Sequence, residues 1–438
     1  MDWKSAGLRN NGIQILMKYG VNYTPSAGWF YTWLHPDWGR IREDLEQIAS
    51  IRVDHVRIFP LWPILQPNRN YINPQALDDL RHMGELAAEA GLDCYVDVLQ
   101  GHLSSFDFLP SWLRSWHSRN MFVDAEAVQA QSQLVMAIYD AMADVQGFAG
   151  LTLGNECNQF ASMTHPSPMP LTKAQADAWL RALLLPLQER AHHDGRVLLH
   201  SENDEVWYAD GHPFTPDQAA NLGDVTAIHS WVFNGTAQHY GALSVESVGH
   251  AEYLVELSKA FARHDHRPVW VQEIGAPNNV ITNSESGVFC SRSIQRMLRC
   301  SDLYGITWWC SHDVDGRFVD FPELEHHLGL FDLKGNLTEV GKAFSQIVAE
   351  PLPMVVNRQV AVIVDVDEQG LPLSRGSLAP GGSVFEAWMQ LSRTGEHPAV
   401  VTSACVHDEQ SLNARGIHEC LPVELRTGNV YSNVARSD

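Results

Sequence analysis

The chain has 438 residues, of which 45% are hydrophobic and 19% are charged, a balance typical of a globular protein that excludes a disordered or fibrous one. Its formal net charge of -22 would repel a phosphate backbone or an anionic lipid surface, so we expect neither nucleic acid nor a membrane as a partner. A small neutral molecule is the favoured ligand.

The cysteines and the N-terminus indicate the compartment. Seven cysteines without CxxC spacing favour reduced thiols over a disulfide framework or a zinc site. The N-terminal sequence MDWKSAGLRNNG lacks the apolar run of a secretory signal, and no apolar stretch long enough to span a membrane follows it. We therefore expect a cytoplasmic protein.

Short apolar runs alternate with longer segments of helical periodicity from residue 12 to about residue 350. Asp37 is predicted to cap the first helix, and Asn73 and Pro74 begin a helix that ends at Gly91. The predicted strands lie near 18–23, 53–59, 92–99, 148–154, 196–201, 225–230, 268–273 and 304–309. Further helices are predicted at 124–146, 172–193, 248–264, 286–302 and 338–349, and the segment 205–224 is predicted to be mostly loop with a short helix.

Eight strand–helix repeats close most simply into a (β/α)8 TIM barrel of the α/β class. An open doubly wound sheet is the alternative, but its usual glycine-rich phosphate turn is absent from the sequence. After the prolines at 351 and 353 the pattern changes, to strands at 359–366, 398–405 and 419–425 and a helix at 382–393. We therefore predict a barrel over residues 1–350 and a small Rossmann-like α/β subdomain over residues 354–438. Without a glycine fingerprint, no cofactor is expected there.

Two of the predicted strands end in a carboxylate. The fourth strand ends in Asn155 and Glu156, and the seventh ends in Gln272 and Glu273. A glutamate at such a position is costly to bury unless it has a partner or a task. Because the carboxyl ends of all barrel strands meet at one mouth, the two glutamates are expected to face each other, and glycoside hydrolysis needs two opposed carboxyl groups.

At these positions the sequence resembles glycoside hydrolase family 5, whose members include cellulases, β-mannanases and β-mannosidases. The resemblance covers about residues 12–350, and one position departs from it: Trp231 stands where the family usually has a tyrosine that donates a hydrogen bond to the nucleophile. The subgroup that the sequence resembles acts on mannosyl-β-1,4-N-acetylglucosamine in the bacterial cytosol. The landmarks, in family order, are Gly20 to Tyr23, Arg57, His102, Asn155, Glu156, His229, Glu273, Trp308 and Trp309.

The resemblance implies a retaining double displacement with Glu156 as the acid/base and Glu273 as the nucleophile. Arg57 is expected to keep Glu273 ionised, whereas burial and a negative neighbour are expected to raise the pKa of Glu156. Asn155 is expected to bind the substrate 2-hydroxyl, and His102 the sugar.

Six further side chains are candidates for substrate contact, each with a structural alternative. Along a strand, neighbouring side chains point to opposite faces, so only one of the strand-eight tryptophans faces the pocket. The histidine and aspartate just after them bind sugar hydroxyls or order a loop, and the two loop tryptophans form a leaving-group subsite, a subunit contact or local packing. These candidates are Trp308, Trp309, His312, Asp313, Trp112 and Trp116.

No metal site is predicted, because the adjacent pairs His192-His193 and His326-His327 lack a third ligand at regular spacing. Long loops after strands one, three, four, five and eight favour a closed pocket, and only short oligosaccharides would reach a cytoplasmic enzyme. We therefore predict an exo-β-mannosidase. The alternatives are an endo-acting β-mannanase or β-glucanase, or a catalytically silent sugar-binding barrel. A homodimer is also predicted from the tryptophan-rich loop and the subdomain.

Overall fold

The computed structural model describes residues 8–10, 13–15, 17–100, 102–426 and 430–431. Eight parallel strands form one sheet in it. These strands are β1 (Lys18–Asn22), β2 (His55–Ile58), β3 (Asp93–Leu99), β4 (Phe148–Gly154), β5 (Val197–Leu199), β6 (Thr226–Ser230), β7 (Val269–Ile274) and β8 (Leu303–Trp308). All eight predicted strands are therefore confirmed, and their ends differ from the prediction by two residues or fewer.

The sheet closes almost completely into a barrel. Its strand order is β6-β7-β8-β1-β2-β3-β4-β5, which follows the chain once round without reversal. Between β5 and β6 the backbone N–H of Leu198 donates to Asp224 Oδ2 at 2.7 Å, and the N–H of Asp224 donates to the Leu198 carbonyl at 2.8 Å. The predicted (β/α)8 TIM barrel is confirmed, whereas an open doubly wound sheet would show a reversal of strand order.

The helices alternate with these strands and surround them. Asp37 accepts a hydrogen bond from the backbone N–H of Arg40 at the start of α1, and Asn73 accepts one from Gln75 N–H at the start of α3, as predicted. The segment 205–224 contains two short helices, α6 and α7. The barrel helices are α1 (Trp38–Ser50), α2 (Trp62–Leu65), α3 (Pro74–Glu89), α4 (Ala125–Met142), α5 (Lys173–His193), α6 (Glu205–Tyr208), α7 (Pro216–Asn221), α8 (Thr236–Tyr240), α9 (Val245–Ala260), α10 (Asn283–Met297) and α11 (Glu339–Ala349).

Aromatic side chains fill the lower part of the barrel. Tyr95, Trp270 and Tyr304 are buried together, and the rings of Tyr95 and Trp270 lie edge-on to His55. Gly20 leaves room for the histidine, because a Cβ at this position would lie 2.0 Å from His55 Nε2. The floor of the barrel is thus solid, and substrate access is confined to the opposite mouth.

A three-stranded parallel sheet follows the barrel, with the order β10-β9-β11. Its strands are β9 (Val360–Val364), β10 (Ala399–Thr402) and β11 (Glu419–Leu421), and its helices are α12 (Ser383–Arg393) and α13 (Glu409–Ala414). The strands and α12 were predicted from the sequence, and α13 was not. The exact division of the chain between residues 350 and 354 stays a prediction.

Helix α9 joins this sheet to the barrel. It packs on β6 and β7 on one side and on α12 and β10 on the other, so every residue from Glu246 to Ala260 is buried. Buried ion pairs cross the junction: Arg358 lies 2.7 Å from Glu252, and Arg415 lies 2.9 Å from Glu256.

Two short strands, Leu8–Asn10 and Ile13–Ile15, pair antiparallel before the barrel. Residues 1–7, 11–12 and 16 lie outside the described residues. Within the described ranges, no helix has the length and apolar character that a bilayer span requires. All seven cysteines are free thiols.

Candidate active site

The two strand-end glutamates face each other at the barrel mouth. Glu156 and Glu273 are 7% and 3% exposed, and a carboxylate oxygen of one lies within 4.8 Å of a carboxylate oxygen of the other. Glu156 has a left-handed backbone, with φ of 47°, which ends β4 and begins the short 3-10 helix Cys157–Ala161. A residue other than glycine rarely adopts this conformation, so the surrounding structure must hold it there.

Both oxygens of Glu156 accept hydrogen bonds. The Nδ1 of His229 lies 2.7 Å from Oε1, and the side-chain amide of Gln159 donates to Oε2. The same His229 Nδ1 lies 3.4 Å from Glu273 Oε2, so this ring nitrogen stands between the two carboxylates. Gln159 was not identified from the sequence.

Both oxygens of Glu273 also accept hydrogen bonds. Arg57 Nη1 donates to Oε1 at 3.0 Å, and the indole N–H of Trp231 donates to Oε2 at 3.1 Å. The tryptophan therefore supplies the donor that a tyrosine supplies at this position elsewhere in the family that the sequence resembles.

Arg57 connects five barrel strands from the centre of the mouth. Besides Glu273, it donates to Asn155 Oδ1 at 2.7 Å, to Asn22 Oδ1 at 3.2 Å and to Asp97. It is fully buried, and a buried guanidinium requires such partners. The network fixes the amide plane of Asn155 next to Glu156.

The pKa shifts of the carboxyl pair run opposite to the expectation from the sequence. Burial raises the pKa of Glu273, and its cationic neighbours offset the effect only in part. Burial also disfavours the charged form of Glu156, but the hydrogen bond and charge of His229 outweigh it and lower the pKa of Glu156. The pKa of His229 is raised, because the charges of both glutamates outweigh its own burial. These directions favour a protonated His229 beside an ionised Glu156, 2.7 Å away.

Among the described residues, the three that are close enough together to hold a metal ion are Glu156, His229 and Glu273. A cation would have to displace the donors that already occupy all four carboxylate oxygens. It would also lie beside the charge of Arg57. The arrangement is therefore better suited to proton transfer between acidic groups than to metal binding.

Three predicted contact residues lie in the core instead of the pocket. Trp308 is fully buried against Phe344 of α11. His312 is fully buried, stacks on Phe331 and lies behind α1. Trp112 is 8% exposed and donates its indole N–H to the Gln66 carbonyl at 2.9 Å, so it anchors its own loop.

Three other residues that the sequence predicted as substrate contacts lie at the mouth, in the loop after β8 and on the surface. His102 lies at the mouth, where its carbonyl accepts a hydrogen bond from Asn155 Nδ2 at 2.9 Å. Asp313 accepts a hydrogen bond from the backbone N–H of Gly329 at 3.0 Å, which orders the loop after β8. Trp116 is 98% exposed.

Trp309 faces the mouth and contacts a third carboxyl group, that of Glu325. Its ring lies edge-on to Phe59, 5.6 Å away, and its side chain hydrogen-bonds to Glu325. Ser104 also donates to Glu325, at 2.9 Å. Burial raises the pKa of Glu325 to about 7, with a smaller contribution from the charge of Glu273. No sequence pattern singled out Glu325, which belongs to the short 3-10 helix Glu323–His327.

Six loops at the mouth contact one another in an arc, which we call the collar. Aromatic packing joins the loops after β1, β3 and β8, and polar contacts join the loops after β3, β4, β5 and β6. The contacts are Trp29–Phe321, Trp29–Phe106, Asp107–His165, Asn158–Asn203 and Asp204–Asn234. The collar encloses the carboxyl pair on these sides.

Solved structures resemble the whole chain. A GH5_18 from Bifidobacterium longum subsp. infantis is 52% identical, with a TM-score of 0.92, over 95% of this chain and 99% of that one. A GH5_18 variant from Bifidobacterium longum subsp. longum, with one glutamate changed to alanine and in complex with Manβ1-4GlcNAc, is 50% identical, with a TM-score of 0.93, over 96% and 99% of the two chains.

A similar variant from Streptomyces cattleya, also in complex with Manβ1-4GlcNAc, is 46% identical, with a TM-score of 0.88, over 93% of this chain and 98% of that one. No family model and no curated protein matches the chain.

Proposed function

Because the chain belongs to subfamily 18 of glycoside hydrolase family 5 (GH5_18), and is therefore a glycoside hydrolase of the mannosidase type, we propose that it is a retaining exo-β-mannosidase. Its substrate is then a short oligosaccharide with a terminal β-1,4-linked mannose, and mannosyl-β-1,4-N-acetylglucosamine is the leading candidate. The observation that carries the proposal is the pair Glu156 and Glu273, whose oxygens approach within 4.8 Å. Retaining glycosidases hold their carboxyl groups about 5–5.5 Å apart, whereas inverting enzymes need room for a water molecule between them.

In the first step, Glu273 attacks the anomeric carbon of mannose. Arg57 and Trp231 hold one oxygen each of this carboxylate, which fixes its direction. The proton that His229 holds in the free site passes along the 2.7 Å hydrogen bond to Glu156, which donates it to the glycosidic oxygen as the bond to the anomeric carbon breaks. The products are a mannosyl ester of Glu273 and the released sugar, whose glycosidic oxygen is now a hydroxyl group.

In the second step, water hydrolyses the ester. Glu156, now ionised, accepts a proton from the water molecule whose oxygen bonds to the anomeric carbon, and the ester bond to Glu273 breaks. Two inversions give net retention of the β configuration. In this scheme Asn155, which Arg57 and the His102 carbonyl orient, binds the substrate 2-hydroxyl.

The collar supports exo action. A cleft that accepts the middle of a polysaccharide must be open at both ends, whereas the loops after β1, β3, β4, β5, β6 and β8 contact their neighbours. An opening bordered in this way favours the binding of a chain end. The runner-up remains an endo-acting β-mannanase or β-glucanase of the same fold, and a silent sugar-binding barrel is disfavoured because both carboxyl groups are present.

The decisive experiment follows hydrolysis of a panel of aryl β-glycosides and mannosyl-β-1,4-N-acetylglucosamine by proton NMR. We expect β-mannose as the first product anomer. Glu156→Ala and Glu273→Ala are each expected to lower turnover by about three orders of magnitude or more, and azide should rescue the Glu273 variant by taking the place of the missing nucleophile. Glu323→Ala, on an exposed side chain of the loop after β8, is the matched control.

An α anomer as the first product, or near-normal activity in either alanine variant, would refute the mechanism. On mannohexaose, steady release of mannose supports exo action, whereas early mannobiose or mannotriose supports the endo alternative.

We also propose a cytoplasmic location, which the seven free thiols support. The proposed homodimer is supported by Trp116 and Met163, apolar side chains that are 98% and 78% exposed on loops joined by a hydrogen bond between Arg114 and Ser167. Light scattering is expected to give about twice the 49.0 kDa of the chain. The mass of one chain at all protein concentrations would contradict it.

A further inference from the structure

Val430 and Tyr431, which we call the C-terminal segment, contact both the subdomain and the barrel. Val430 lies between two glycines of positive φ, Gly235 in the loop after β6 and Gly381 before α12. A Cβ at Gly235 would lie 1.9 Å from the Val430 carbonyl oxygen, and one at Gly381 would lie 2.6 Å from a Val430 methyl group. Barrel and subdomain thus each provide one wall of a slot that fits this residue.

The next residue, Tyr431, reaches a carboxyl group at the mouth. Its hydroxyl donates to Asp204 Oδ1 at 2.8 Å, and its ring packs edge-on against Tyr208 at 5.0 Å. The other oxygen of Asp204 accepts a hydrogen bond from Asn234 Nδ2 at 3.2 Å. Asp204 is 3% exposed, and neither step of the proposed mechanism uses it.

The loop that carries Asp204 is fastened to the chain on both sides of Glu156. Ser201 Oγ donates to the Gly154 carbonyl at 3.0 Å, two residues before the glutamate. Asn203 and Asn158, two residues after it, exchange hydrogen bonds of 2.6 and 3.1 Å. Since Glu156 has the rare left-handed backbone, these contacts help to hold it.

We propose that Tyr431 is a positioning residue for hydrolysis: through Asp204 it sets the position of, and the charge beside, Glu156, so that the C-terminal segment controls protonation of the leaving group. This inference rests on the proposed role of Glu156 as acid/base. It assigns the subdomain a part in the reaction beyond packing.

The charge of Asp204 depends on its hydrogen bond from Tyr431. Burial raises the pKa of Asp204 to about 7, the hydrogen bonds from Tyr431 and Asn234 lower it, and the charges of Glu156 and Glu205 raise it. Without the tyrosine hydroxyl, the pKa of Asp204 rises further, and the residue is neutral over more of the working range. The pair of Glu156 and His229 then loses a negative neighbour and holds its shared proton less tightly.

The test is Tyr431→Phe, which removes the hydroxyl and keeps the ring. We expect kcat/KM for mannosyl-β-1,4-N-acetylglucosamine to fall by about tenfold or more. We also expect the basic limb of its pH profile to move to lower pH. For 2,4-dinitrophenyl β-mannoside, whose leaving group needs little protonation, we expect a change of about twofold or less. The matched control is Tyr139→Phe, which also removes a hydrogen bond from a tyrosine hydroxyl to an aspartate, here 2.7 Å long and to Asp194, far from the mouth.

A double variant, Tyr431→Phe with Asp204→Asn, separates a joint role from two independent ones. If the residues act as a unit, the double variant should be no slower than the slower single variant. Additive losses, equal losses on both substrates or no loss on either would overturn the proposal.

Two measurements distinguish failure of the proposed function from failure of the positioning role of Tyr431. Wild-type protein that cleaves neither mannoside would refute the function. Hydrogen exchange of the segment 200–208 then decides whether Tyr431 holds this loop, because Tyr431→Phe should accelerate exchange there and Tyr139→Phe should not. Unchanged exchange in both variants would overturn the positioning role.

Discussion

Trp231 shows what a single side chain contributes at the mouth. Its indole N–H lies 3.1 Å from Glu273, and its ring packs so closely over Gly275 that a Cβ there would approach it to 2.7 Å. The larger ring thus reaches the nucleophile because the residue opposite has no side chain. Sequence comparison revealed the departure from tyrosine, but only the geometry showed that the hydrogen bond persists.

We predict that Trp231→Phe lowers kcat by about tenfold, because it removes one of the two donors that orient Glu273. The change is measured by steady-state kinetics on an aryl β-mannoside. Trp112→Phe is the control, since it also loses one indole hydrogen bond, to the Gln66 carbonyl, but in a loop away from the carboxyl pair. Equal losses in both variants would argue against a specific role for Trp231.

Glu156, His229 and Glu273 together predict a bell-shaped dependence of kcat/KM on pH. Activity requires one proton shared by His229 and Glu156, and an ionised Glu273. The pKa of His229 is raised above 6.5, so the proton is lost, and activity falls, only above that pH. The pKa of Glu273 is raised above 4.5, so protonation lowers activity already above that pH. An acid limb at or below 4.5 in a protein shown to be folded there would contradict this assignment.

At the scale of elements, the barrel depends on the fit of β1 against β2. The buried ring of His55 occupies the space over Gly20 and lies 2.8 Å from the hydroxyl of Thr307 on β8. Burial lowers the pKa of His55, so the ring is neutral and packs like the aromatic residues beside it. The glycine therefore serves close packing, and it has no positive φ.

We predict that Gly20→Ala lowers the free energy of unfolding by about 3 kcal/mol, because the added methyl group overlaps a ring that has no free space. Chemical unfolding followed by tryptophan fluorescence measures the change. Gly316→Ala is the control, since a Cβ there meets open space. A similar, small effect in both variants would mean that the barrel adjusts to the methyl group easily.

At the scale of the whole molecule, α9 unites the barrel and the subdomain. It is buried on both sides and carries glutamates whose partners lie in the other unit, among them Arg358 and Arg415. Burial opposes the charged form of Glu256, but its cationic neighbours outweigh burial and hold its pKa well below the usual value. We therefore expect barrel and subdomain to unfold in one transition.

We predict that Glu256→Gln destabilises the protein at pH 7 by about 3 kcal/mol, since it leaves buried cations without a counter-charge. Because the folded-state pKa of Glu256 is depressed, its contribution is complete above 4.5 and is lost as the pH falls towards the folded value. The difference in the free energy of unfolding between wild type and variant should therefore become smaller at acidic pH. Urea unfolding at several pH values measures this difference. Glu339→Gln, which changes an exposed side chain of α11, is the control.

Much of the fold was predictable because its determinants are local. Periodicity located the eight barrel strands, caps such as Asp37 located helix starts, and the two glutamates stood out as charges at the ends of apolar strands. It was harder to predict which side chains face the pocket. Neighbouring residues such as Trp308 and Trp309 have identical side chains and differ only in the face of the strand that they occupy.

The sequence by itself determined the barrel, the carboxyl pair and the presence of a second sheet, because strand period and polar strand ends are properties of a few consecutive residues. Only the tertiary structure decided that His229 lies between the two carboxyl groups, and that Tyr431 contacts Asp204 across 227 residues of chain. These features depend on distances and burial between remote segments. Such distances arise only when the closed barrel brings its loops and the C-terminal segment to one mouth.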